Sequence, residues 1–430
     1  MHTTIKKISY PLSITFFMLM SQVFSQISSA ESEKHGLGYY IDLAFKNNPE
    51  MHAMKNAVDA AGHGVQAAFD MPDPVLGIHT GMTDFSHPTK FVLSQTIPWP
   101  GTLMAQKREA RSLHYQRKAE YKDAVNDLIF MIRKTWGELY ETGRTIELTR
   151  QSLKLLEQAE SVLLAKYSVN QAFAGDLLKL QLEMAVLEDD IRQMRTEADN
   201  IRNRFGILID SSNLSIPFPD SIPSLSVPDD PATVVQIALE QNPEIVAYEY
   251  ALEVKDALVD AAKSRYRPSL VLSADYETNK MINGVSVDDD LMAGIGISLP
   301  IWLSQKKGKL QQARSLQKVA ANELKQAENE LAAEARIYLN THNDAVRRIE
   351  LLDNVLIPKA EQTLSVIEEG YRNNTMSILD FLDAQRTLLD LEIEKVSRIE
   401  LKEMIAGEIV ICCLAEFTKN KSTHSTEAEK

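Results

Sequence analysis

The chain has almost no cysteine, fewer basic than acidic residues (46 Lys and Arg against 60 Asp and Glu), and no long apolar run. Its only two cysteines, Cys412 and Cys413, are adjacent, and neighbouring cysteines seldom bridge each other without strain. A disulfide framework is therefore not expected, and packing must stabilise the chain. The net charge of −14 argues against nucleic acid as a partner, because nucleic-acid binding needs a basic footprint.

The N-terminus has the pattern of a secretory signal. Lys6 and Lys7 supply its charged region, Leu12–Phe24 its apolar region, and Ser28–Ala30 a cleavage site of small residues. The apolar region is shorter than the roughly 20 residues that a spanning helix needs. Because no later segment has about 18 uncharged apolar residues either, a helical membrane protein is not predicted. The mature chain is expected to begin near Glu31.

The sequence contains one large unit twice. Residues 44–50 read Ala-Phe-Lys-Asn-Asn-Pro-Glu, and residues 238–244 read Ala-Leu-Glu-Gln-Asn-Pro-Glu. A second set of residues recurs with the same internal spacing: Tyr167, Asp176 and Gln181, then Tyr371, Asp380 and Gln385. The offset is too long for a solenoid, whose repeats run roughly 20–50 residues. We therefore predict the following division: signal peptide 1–30, first repeat 36–210, linker 211–231, second repeat 232–417 and disordered tail 418–430.

Each repeat is predicted to contain a very long helix and a shorter return helix. Leu103–Tyr167 has no proline, and Lys309–Tyr371 has only Pro358. Helices of this length would extend roughly 90–100 Å at 1.5 Å per residue. Apolar residues at seven-residue spacing favour coiled-coil packing of these helices. The return helices are predicted at Leu177–Phe205 and Ile378–Phe417.

Four short segments alternate with period two and are predicted to be strands, one hairpin in each repeat. Each is about 7–10 residues, the length of a tilted transmembrane strand. In the clearest segment, Leu270, Leu272, Ala274 and Tyr276 share one face. The predicted strands are Val75–Met82, Phe91–Ile97, Ser269–Glu277 and a fourth at about 294–299. The loop between the last two carries an acidic run, Asp288–Asp290, which is interpreted as a solvated tip.

Four strands cannot close a barrel in lipid, where unpaired edges cost several kcal/mol per group and eight strands are the usual minimum. If these segments span a membrane, several chains must therefore contribute to one barrel. The alternative is a soluble periplasmic coiled-coil scaffold or adaptor. In that case the face with Leu270, Leu272 and Tyr276 would be buried against protein.

The Asn-Pro-Glu start of each repeat and the strand exits at 94–101 and 298–302 resemble the TolC family of outer membrane efflux proteins. The resemblance covers about residues 36–417. It implies a mainly α fold with a small transmembrane β part, in which long coiled-coil helices and four strands per chain form a trimer. That trimer would combine a twelve-stranded barrel in outer membrane lipid with a twelve-helix periplasmic barrel.

The resemblance implies no enzymatic chemistry and no cofactor. The implied function is that of an exit duct for a tripartite efflux system, with a periplasmic adaptor and an inner-membrane pump as partners. An exit duct for type I protein secretion remains an alternative. Met71–Pro74 and Ile97–Gly101 resemble the metal-efflux branch of the family more than the multidrug branch.

The resemblance also implies a pore gate where each long helix turns into its return helix. Asp380 and Asp383 match paired aspartates that ring the entrance, Tyr371 matches a gate tyrosine, and Asp176 matches its partner. A competing interpretation is helix capping, because Ser377 followed by Asp380 forms a capping-box pattern. Asp176 could cap the equivalent helix.

One position departs from the multidrug pattern. Those relatives carry an arginine five residues after the gate tyrosine, whereas this chain has Met376. The charge pairing of the gate is therefore expected to differ, through Arg372 or through apolar closure. The same tips are the docking surface that the resemblance implies for an adaptor, with these residues: Asn170, Gly175, Asn373, Asn374 and Ser377.

Two tryptophans and a group of histidines and methionines lie in or near the predicted strands. Trp99 and Trp302, where strand becomes helix, are predicted to be membrane-interface anchors, with wedging at the barrel neck as the alternative. Histidines and methionines near the strands lack tight ligand spacing, so no dedicated metal site is predicted. They are His79, His87, Met71, Met82, Met281 and Met292.

Overall fold

The computed structural model describes residues 36–80, 89–211, 215–278, 280–282, 285–373 and 375–413. Several sequence-based predictions lie outside these residues: the signal peptide, the 418–430 tail, Asn374, Met82 and His87.

Helices and strands follow one another in the same order in both repeats: two short helices, two strands of one sheet, a long helix and a return helix. The first repeat contains α1 (Leu37–Asn47), α2 (Pro49–Ala67), β1 (Val75–His79), β2 (Lys90–Ile97), α3 (Pro100–Ser168) and α4 (Ala174–Leu208). The second contains α5 (Pro231–Gln241), α6 (Pro243–Ser264), β3 (Ser269–Glu277), β4 (Lys280–Ile282), β5 (Val285–Val287), β6 (Asp290–Ser298), α7 (Leu303–Leu351), α8 (Ile357–Arg372) and α9 (Ile378–Gly407).

The Asn-Pro-Glu motif begins the second helix of each repeat. The side-chain oxygens of Asn48 and Asn242 accept hydrogen bonds from the backbone N–H groups two and three positions later, and proline occupies the first helical position. The amide of Asn48 also donates to the carbonyl of Leu208, at the end of α4, at 2.9 Å. The motif therefore caps one helix and satisfies a terminal carbonyl of another.

The first long helix, α3, has 69 residues and extends about 100 Å. The second long helix is interrupted, because a π-helical segment (Leu352–Leu356) separates α7 from α8. Pro358 lies in the first turn of α8, and its missing N–H cannot bond to the preceding turn, which accounts for an irregular turn at this place. The two helices nevertheless follow each other without a loop.

Among the described residues, no helix combines the length and the apolar composition that crossing a membrane requires.

One antiparallel sheet joins the two repeats, with strand order β1-β2-β3-β6. The central pairing is between repeats, with Phe91 opposite Tyr276 and Ile97 opposite Leu270. Within the described part of the chain, the outer edges of β1 and β6 have no partner strand. The sequence predicted the bounds of β3 correctly, whereas β1 is shorter than predicted and β6 begins earlier, at Asp290.

The sheet has one apolar and one mostly small or polar face. The register aligns Ser94, Ser273 and Gly294 on the polar face. On the apolar face, the exposed fraction of Ile295 is 78%, and Leu270, Leu272 and Tyr276 are 37–39% exposed. No described segment of the chain covers this face as a soluble scaffold would.

The loop between β3 and β6, whose acidic run was interpreted as a solvated tip, also contains regular structure. It contains the short hairpin of β4 and β5, in which Lys280 pairs with Val287. Alternating side chains in so short a segment give too weak a period-two signal to stand out. The acidic run is exposed as expected, and the Tyr276 hydroxyl donates to Asp289 at 2.5 Å.

The predicted linker lies against the helical body as an extended segment, here called the strap (residues 215–230). Trp136 Nε1 donates to the carbonyl of Ser221 at 3.3 Å, and Arg133 donates to that of Pro223 at 2.7 Å. Phe218 lies so close to Gly143 that a Cβ there would be 2.6 Å from its ring. The strap is therefore part of the packed structure and not a loose tether.

Candidate functional site

The two helix turns, α3 to α4 and α8 to α9, lie together at the end of the helical body, here called the tip. One apolar cluster contains side chains from all four helices, including Leu163, Leu180, Tyr371 and Phe381. The rings of Tyr371 and Phe381 are stacked, with centroids 6.1 Å apart. The structure thus brings the predicted gate residues of both repeats into one region.

Tyr371 is buried in this cluster. Burial raises the pKa of its phenol, and the nearby charge of Asp176 raises that pKa further. The Tyr371 hydroxyl has no hydrogen-bond partner among the described residues. Asp176 therefore acts on Tyr371 through charge and not through a direct hydrogen bond in this structure.

Lys166 was not singled out from the sequence, yet it directly contacts Tyr371, the predicted gate tyrosine. Its ammonium donates to the backbone carbonyl of Tyr371 at 2.5 Å and lies 4.2 Å from the centre of the Tyr371 ring. A cation at this distance is attracted by the ring face. Burial lowers the pKa of Lys166. The only sequence signal was its position beside the repeated Tyr167.

Asp380 forms the capping box that the sequence suggested. Its carboxylate accepts from the backbone N–H and the hydroxyl of Ser377 at 3.0 and 2.7 Å, and its own N–H donates to the Ser377 hydroxyl at 3.2 Å. The hydrogen bonds from the Ser377 hydroxyl, followed by those from its backbone, lower the pKa of Asp380. Asp380 is therefore a carboxylate that stays charged at neutral pH.

The alternative interpretation that Asp176 caps the equivalent helix is not supported, and its predicted gate role stays a prediction. The N-cap of α4 is Phe173, which has no side-chain acceptor, and no side-chain cap is present. Asp176 lies in the first turn of α4, where its negative charge still favours the positive helix end. In the second repeat, Ser377 at the N-cap completes the capping box, whereas the first repeat has no serine at the equivalent position.

Asp380 and Asp383 are both exposed and line the same shallow depression of about 200 Å³ beside α8. Thr363 and Ile367 form part of its opposite wall. The two carboxylates thus project from one side of α9, as their three-residue spacing predicts.

The expected role of Arg372 in pairing across the gate is not observed. Arg372 binds Glu368 on its own helix at 2.5 Å, the usual partner at i,i+4 spacing. Met376 is exposed, so it does not provide apolar closure within the chain either. A different arginine joins the repeats: Arg386 of α9 binds Glu183 of α4 through two contacts, at 2.6 and 3.3 Å.

The predicted docking tips are exposed. Asn170 has a φ of 59°, a left-handed conformation that asparagine tolerates better than most residues. Gly175, Asn373 and Ser377 are also exposed, and Phe173 between them has an exposed fraction of 80%. Sequence reasoning did not single out Phe173.

Trp99 and Trp302 lie immediately before α3 and α7, between the sheet and the long helices. Trp302 is 76% exposed, whereas Trp99 lies 5.9 Å beneath the guanidinium of Arg267. Neither the anchoring interpretation nor the wedging interpretation is tested by these contacts.

No group of three or more histidine, cysteine, aspartate or glutamate side chains in the described ranges has the geometry of a metal site.

The fold is that of outer membrane channels. The crystal structure of CusC, described as a transmembrane channel, superposes with a TM-score of 0.74 at 14% identity and covers 87% of this chain and 90% of that one. The family model "Outer membrane efflux protein" matches residues 234–398.

Two curated relatives extend the similarity over most of the chain. The cobalt-zinc-cadmium resistance protein CzcC of Cupriavidus metallidurans is 23% identical over 370 residues, covering 82% of this chain and 84% of that protein. The outer membrane protein TolC of Vibrio cholerae is 21% identical over 309 residues, 69% of each chain. The resemblance to TolC-type outer membrane efflux proteins, including metal-efflux relatives, is thereby confirmed. The matching family model is that of outer membrane efflux proteins, which are channels and not enzymes, in agreement with the prediction that the chain has no enzymatic activity.

Proposed function

We propose that three copies of this chain form an outer membrane exit duct for a tripartite efflux system. The observation that carries this proposal is the four-stranded sheet, whose two outer edges and apolar face are left unpaired and uncovered by the part of the chain that the structure describes. Such a sheet is unstable in lipid unless its edges pair. Three sheets would supply twelve strands, an even number within the range of closed barrels.

The polarity of the sheet supports this arrangement. Residues with apolar side chains would face lipid, and the face with Ser94, Ser273 and Gly294 would line the pore. The long helices continue from the sheet and would form the periplasmic wall. Trp99 and Trp302 at this junction fit interface anchors, because aromatic rings favour the boundary between lipid and water.

We assign the pore gate to the tip. Asp380 and Asp383 from three copies would place six carboxylates around a narrow axis, where they would attract cations and repel one another. Tyr371, with Asp176 beside it, would hold the turn of α8 in the closed arrangement. The exposed turns with Asn170–Gly175 and Asn373–Ser377 are proposed to dock the adaptor.

Metal ions are the favoured cargo, because the relative CzcC is named for cobalt, zinc and cadmium resistance. Multidrug export and type I protein secretion are the competing cargo assignments. A soluble scaffold is less consistent with the sheet, since its apolar face is not buried by the described residues.

The assembly is tested with purified protein in detergent and in planar lipid bilayers. A trimeric mass and discrete ion-conducting steps are expected. A monomer that conducts no ions after reconstitution, and that partitions to the soluble periplasmic fraction, would refute the duct.

The gate is tested by replacing both Asp380 and Asp383 with asparagine, which removes charge while keeping a capping acceptor at Asp380. Higher conductance, or loss of block by divalent cations, is expected. S377A is the control, because it removes the capping hydroxyl and keeps both carboxylates. If the double variant conducts and is blocked like the wild type, the carboxylates are not the gate.

The cargo is tested by the growth of a strain that lacks this protein, on copper, silver, zinc, cobalt and cadmium salts and on dyes, detergents and antibiotics. Sensitivity to metals alone supports metal export. Sensitivity to drugs and dyes alone would replace the metal assignment with multidrug export.

A further inference from the structure

Positive charge is concentrated where the strands join the helices, although the chain as a whole is acidic. Residues 291–322, which lead from β6 into α7, contain five basic residues and no aspartate or glutamate. The segments 85–108 and 261–274, at two of the other three crossings, also contain basic residues and no acidic one. The fourth crossing differs, because Asp70 and Asp73 lie between α2 and β1. Three of the four crossings between sheet and helices are therefore basic.

Some of these basic side chains are neutralised within the chain. Arg108 of α3 and Lys263 of α6 both bind the carboxylate of Asp260. Five others, at the end of α6 and the start of α7, form no ion pair with an aspartate or glutamate in the part of the chain that the structure describes. All of them are exposed except one lysine, which is half-buried. They are here called the junction cluster and are Arg265, Arg267, Lys306, Lys307 and Lys309.

Two contacts hold the junction cluster beside the end of the sheet. The ammonium of Lys306 donates to the backbone carbonyl of Arg265 at 2.7 Å, which brings the start of α7 against the turn between α6 and β3. The guanidinium of Arg267 lies 5.9 Å from the centre of the Trp99 ring. Basic groups from two distant segments therefore meet at the level where the strands end, next to a tryptophan.

The residues just before α7 give the depth of the cluster in a membrane. Leu299, Ile301 and Trp302 are all exposed and apolar, so in the proposed duct they would lie at the edge of the hydrocarbon. Lys307 and Lys309 follow Trp302 by five and seven residues, which is about 8–10 Å along a helix. The headgroup region is about 5–8 Å thick on each side of a bilayer, and a charge in physiological salt acts over about 8–10 Å. Both ammonium groups would therefore lie within reach of lipid headgroups.

Phosphate is the ligand group that suits such a cluster. Arginine donates paired N–H groups to phosphate oxygens, and lysine supplies a point charge. A membrane surface with negatively charged lipids attracts basic residues that lie close to it. The headgroup of a zwitterionic lipid carries its own positive charge, so it gains less from the cluster than the headgroup of an acidic lipid.

We propose that the junction cluster binds the headgroups of acidic phospholipids in the leaflet from which the helices emerge. The proposal rests on the proposed function of the chain as an outer membrane duct. Three copies would repeat the cluster around the duct. Because charged groups are costly in hydrocarbon, the cluster and the apolar residues before it would also fix the depth of the duct in the membrane.

The tryptophans provide the readout for a test. Trp99 and Trp302 lie at the junction, whereas the third tryptophan, Trp136, is buried among the helices. The purified protein is reconstituted in phosphatidylcholine vesicles that contain increasing fractions of phosphatidylglycerol with brominated acyl chains, which quench the fluorescence of nearby tryptophans. A parallel series contains brominated phosphatidylcholine. The relative binding constant of phosphatidylglycerol is expected to be at least about fivefold higher, the effect of roughly one basic residue near an acidic membrane surface.

The variant K307Q/K309Q removes two charges and leaves the contact of Lys306 with Arg265 in place. It is expected to reduce the preference for phosphatidylglycerol to less than about twofold. K318Q/R336Q is the matched control, because it removes the same charge from exposed positions of α7. Its nearer position lies about 24 Å along the helix from Trp302, beyond the headgroups, so the preference should be unchanged.

Equal quenching by the two brominated lipids in the wild type, or equal loss of preference in both variants, would overturn the proposal. If inorganic phosphate abolishes the preference and chloride at equal ionic strength does not, the cluster is a site for a free anion. If K307Q/K309Q shifts the reversal potential of the channel and keeps the lipid preference, the two lysines face the pore. If neither brominated lipid quenches the wild type, the chain is not in the bilayer and the proposed duct itself fails, so the two failures are distinguishable.

Discussion

Glu400 offers a sharp test of how the strap and the helices are packed. Its carboxyl lies between α9 and α3, and a Cβ at Gly137 would be 3.3 Å from its Oε1. Burial is the main cause that raises the pKa of Glu400 to about 7, and the charges of Glu141 and Glu138 raise it further, while Lys134 opposes them. The small space beside it is closed on one side by Ile222 of the strap.

This raised pKa makes stability depend on pH. Between the ordinary value of 4.5 and about 7, the folded protein keeps the Glu400 proton, whereas the unfolded chain loses it. The folded state therefore binds more protons in this window, and its stability falls as pH rises. The full shift would correspond to about 3 kcal/mol. Because the side chain is partly exposed to solvent, we expect about 1–2 kcal/mol.

The perturbation is E400Q, which fills the same space without a titratable proton. At pH 8 the variant should be more stable than the wild type, with a melting temperature higher by about 2–4 °C, and at pH 4.5 this advantage should vanish. Thermal unfolding of a large assembly is often irreversible, so both proteins are compared at one scan rate in detergent.

E157Q is the control, since Glu157 is an exposed carboxyl on α3. It should show no pH-dependent difference from the wild type. An E400Q advantage that is equal at pH 4.5 and pH 8 would refute the argument from burial. So would a variant that is less stable at pH 8.

Three further predictions concern the scaffold. N48A removes the acceptor for two backbone N–H groups and the donor to the carbonyl of Leu208. It should lower the free energy of unfolding by about 1–2 kcal/mol, measured as a lower melting temperature, and N47A is the control. G143A should push Phe218 and the strap away from α3, at a cost of about 1–3 kcal/mol, and increase hydrogen exchange in the strap; unchanged exchange would contradict the close contact. I295R places a charge on the exposed apolar face of the sheet and should cost about 2–4 kcal/mol in lipid, reducing trimers in the membrane fraction.

The regular elements could be predicted from the sequence because their signals are local. The strand Ser269–Glu277 has strict period-two alternation, and the structure has the same bounds. The absence of proline over Leu103–Tyr167 likewise predicted a single long helix, which the structure extends by a few residues at its start and by one at its end. Pro358 was noticed, but a sequence pattern does not show that a π-helical turn would accommodate it.

The contacts at the tip could not be predicted because they join distant parts of the chain. Arg386 and Glu183 are both ordinary charged residues on amphipathic helices, and sequence spacing gives no reason to pair them. The same holds for Lys166 and Tyr371, which come together only when the two helix turns meet. The raised pKa of Glu400 also depends on its burial by α3 and the strap. The sequence of α9 alone does not show that these two segments lie beside it.

The duplication also suggested one interpretation that the structure does not support. Equal spacing in the two repeats left helix capping open for Asp176, as the alternative to its predicted gate role, by analogy with Asp380. The structure shows that the tips have diverged: Phe173 stands where Ser377 makes its capping box.

The tyrosines of the two repeats differ in the same way. Tyr167 is 46% exposed, whereas its counterpart Tyr371 is buried beneath Lys166. The residue after Gln181 is the exposed Leu182, and the residue after Gln385 is Arg386, which binds the first repeat. A tip built from identical repeats could make only contacts that are repeated on both sides. Divergence at these positions lets the first repeat supply Glu183 and Lys166 as partners for Arg386 and Tyr371 of the second repeat.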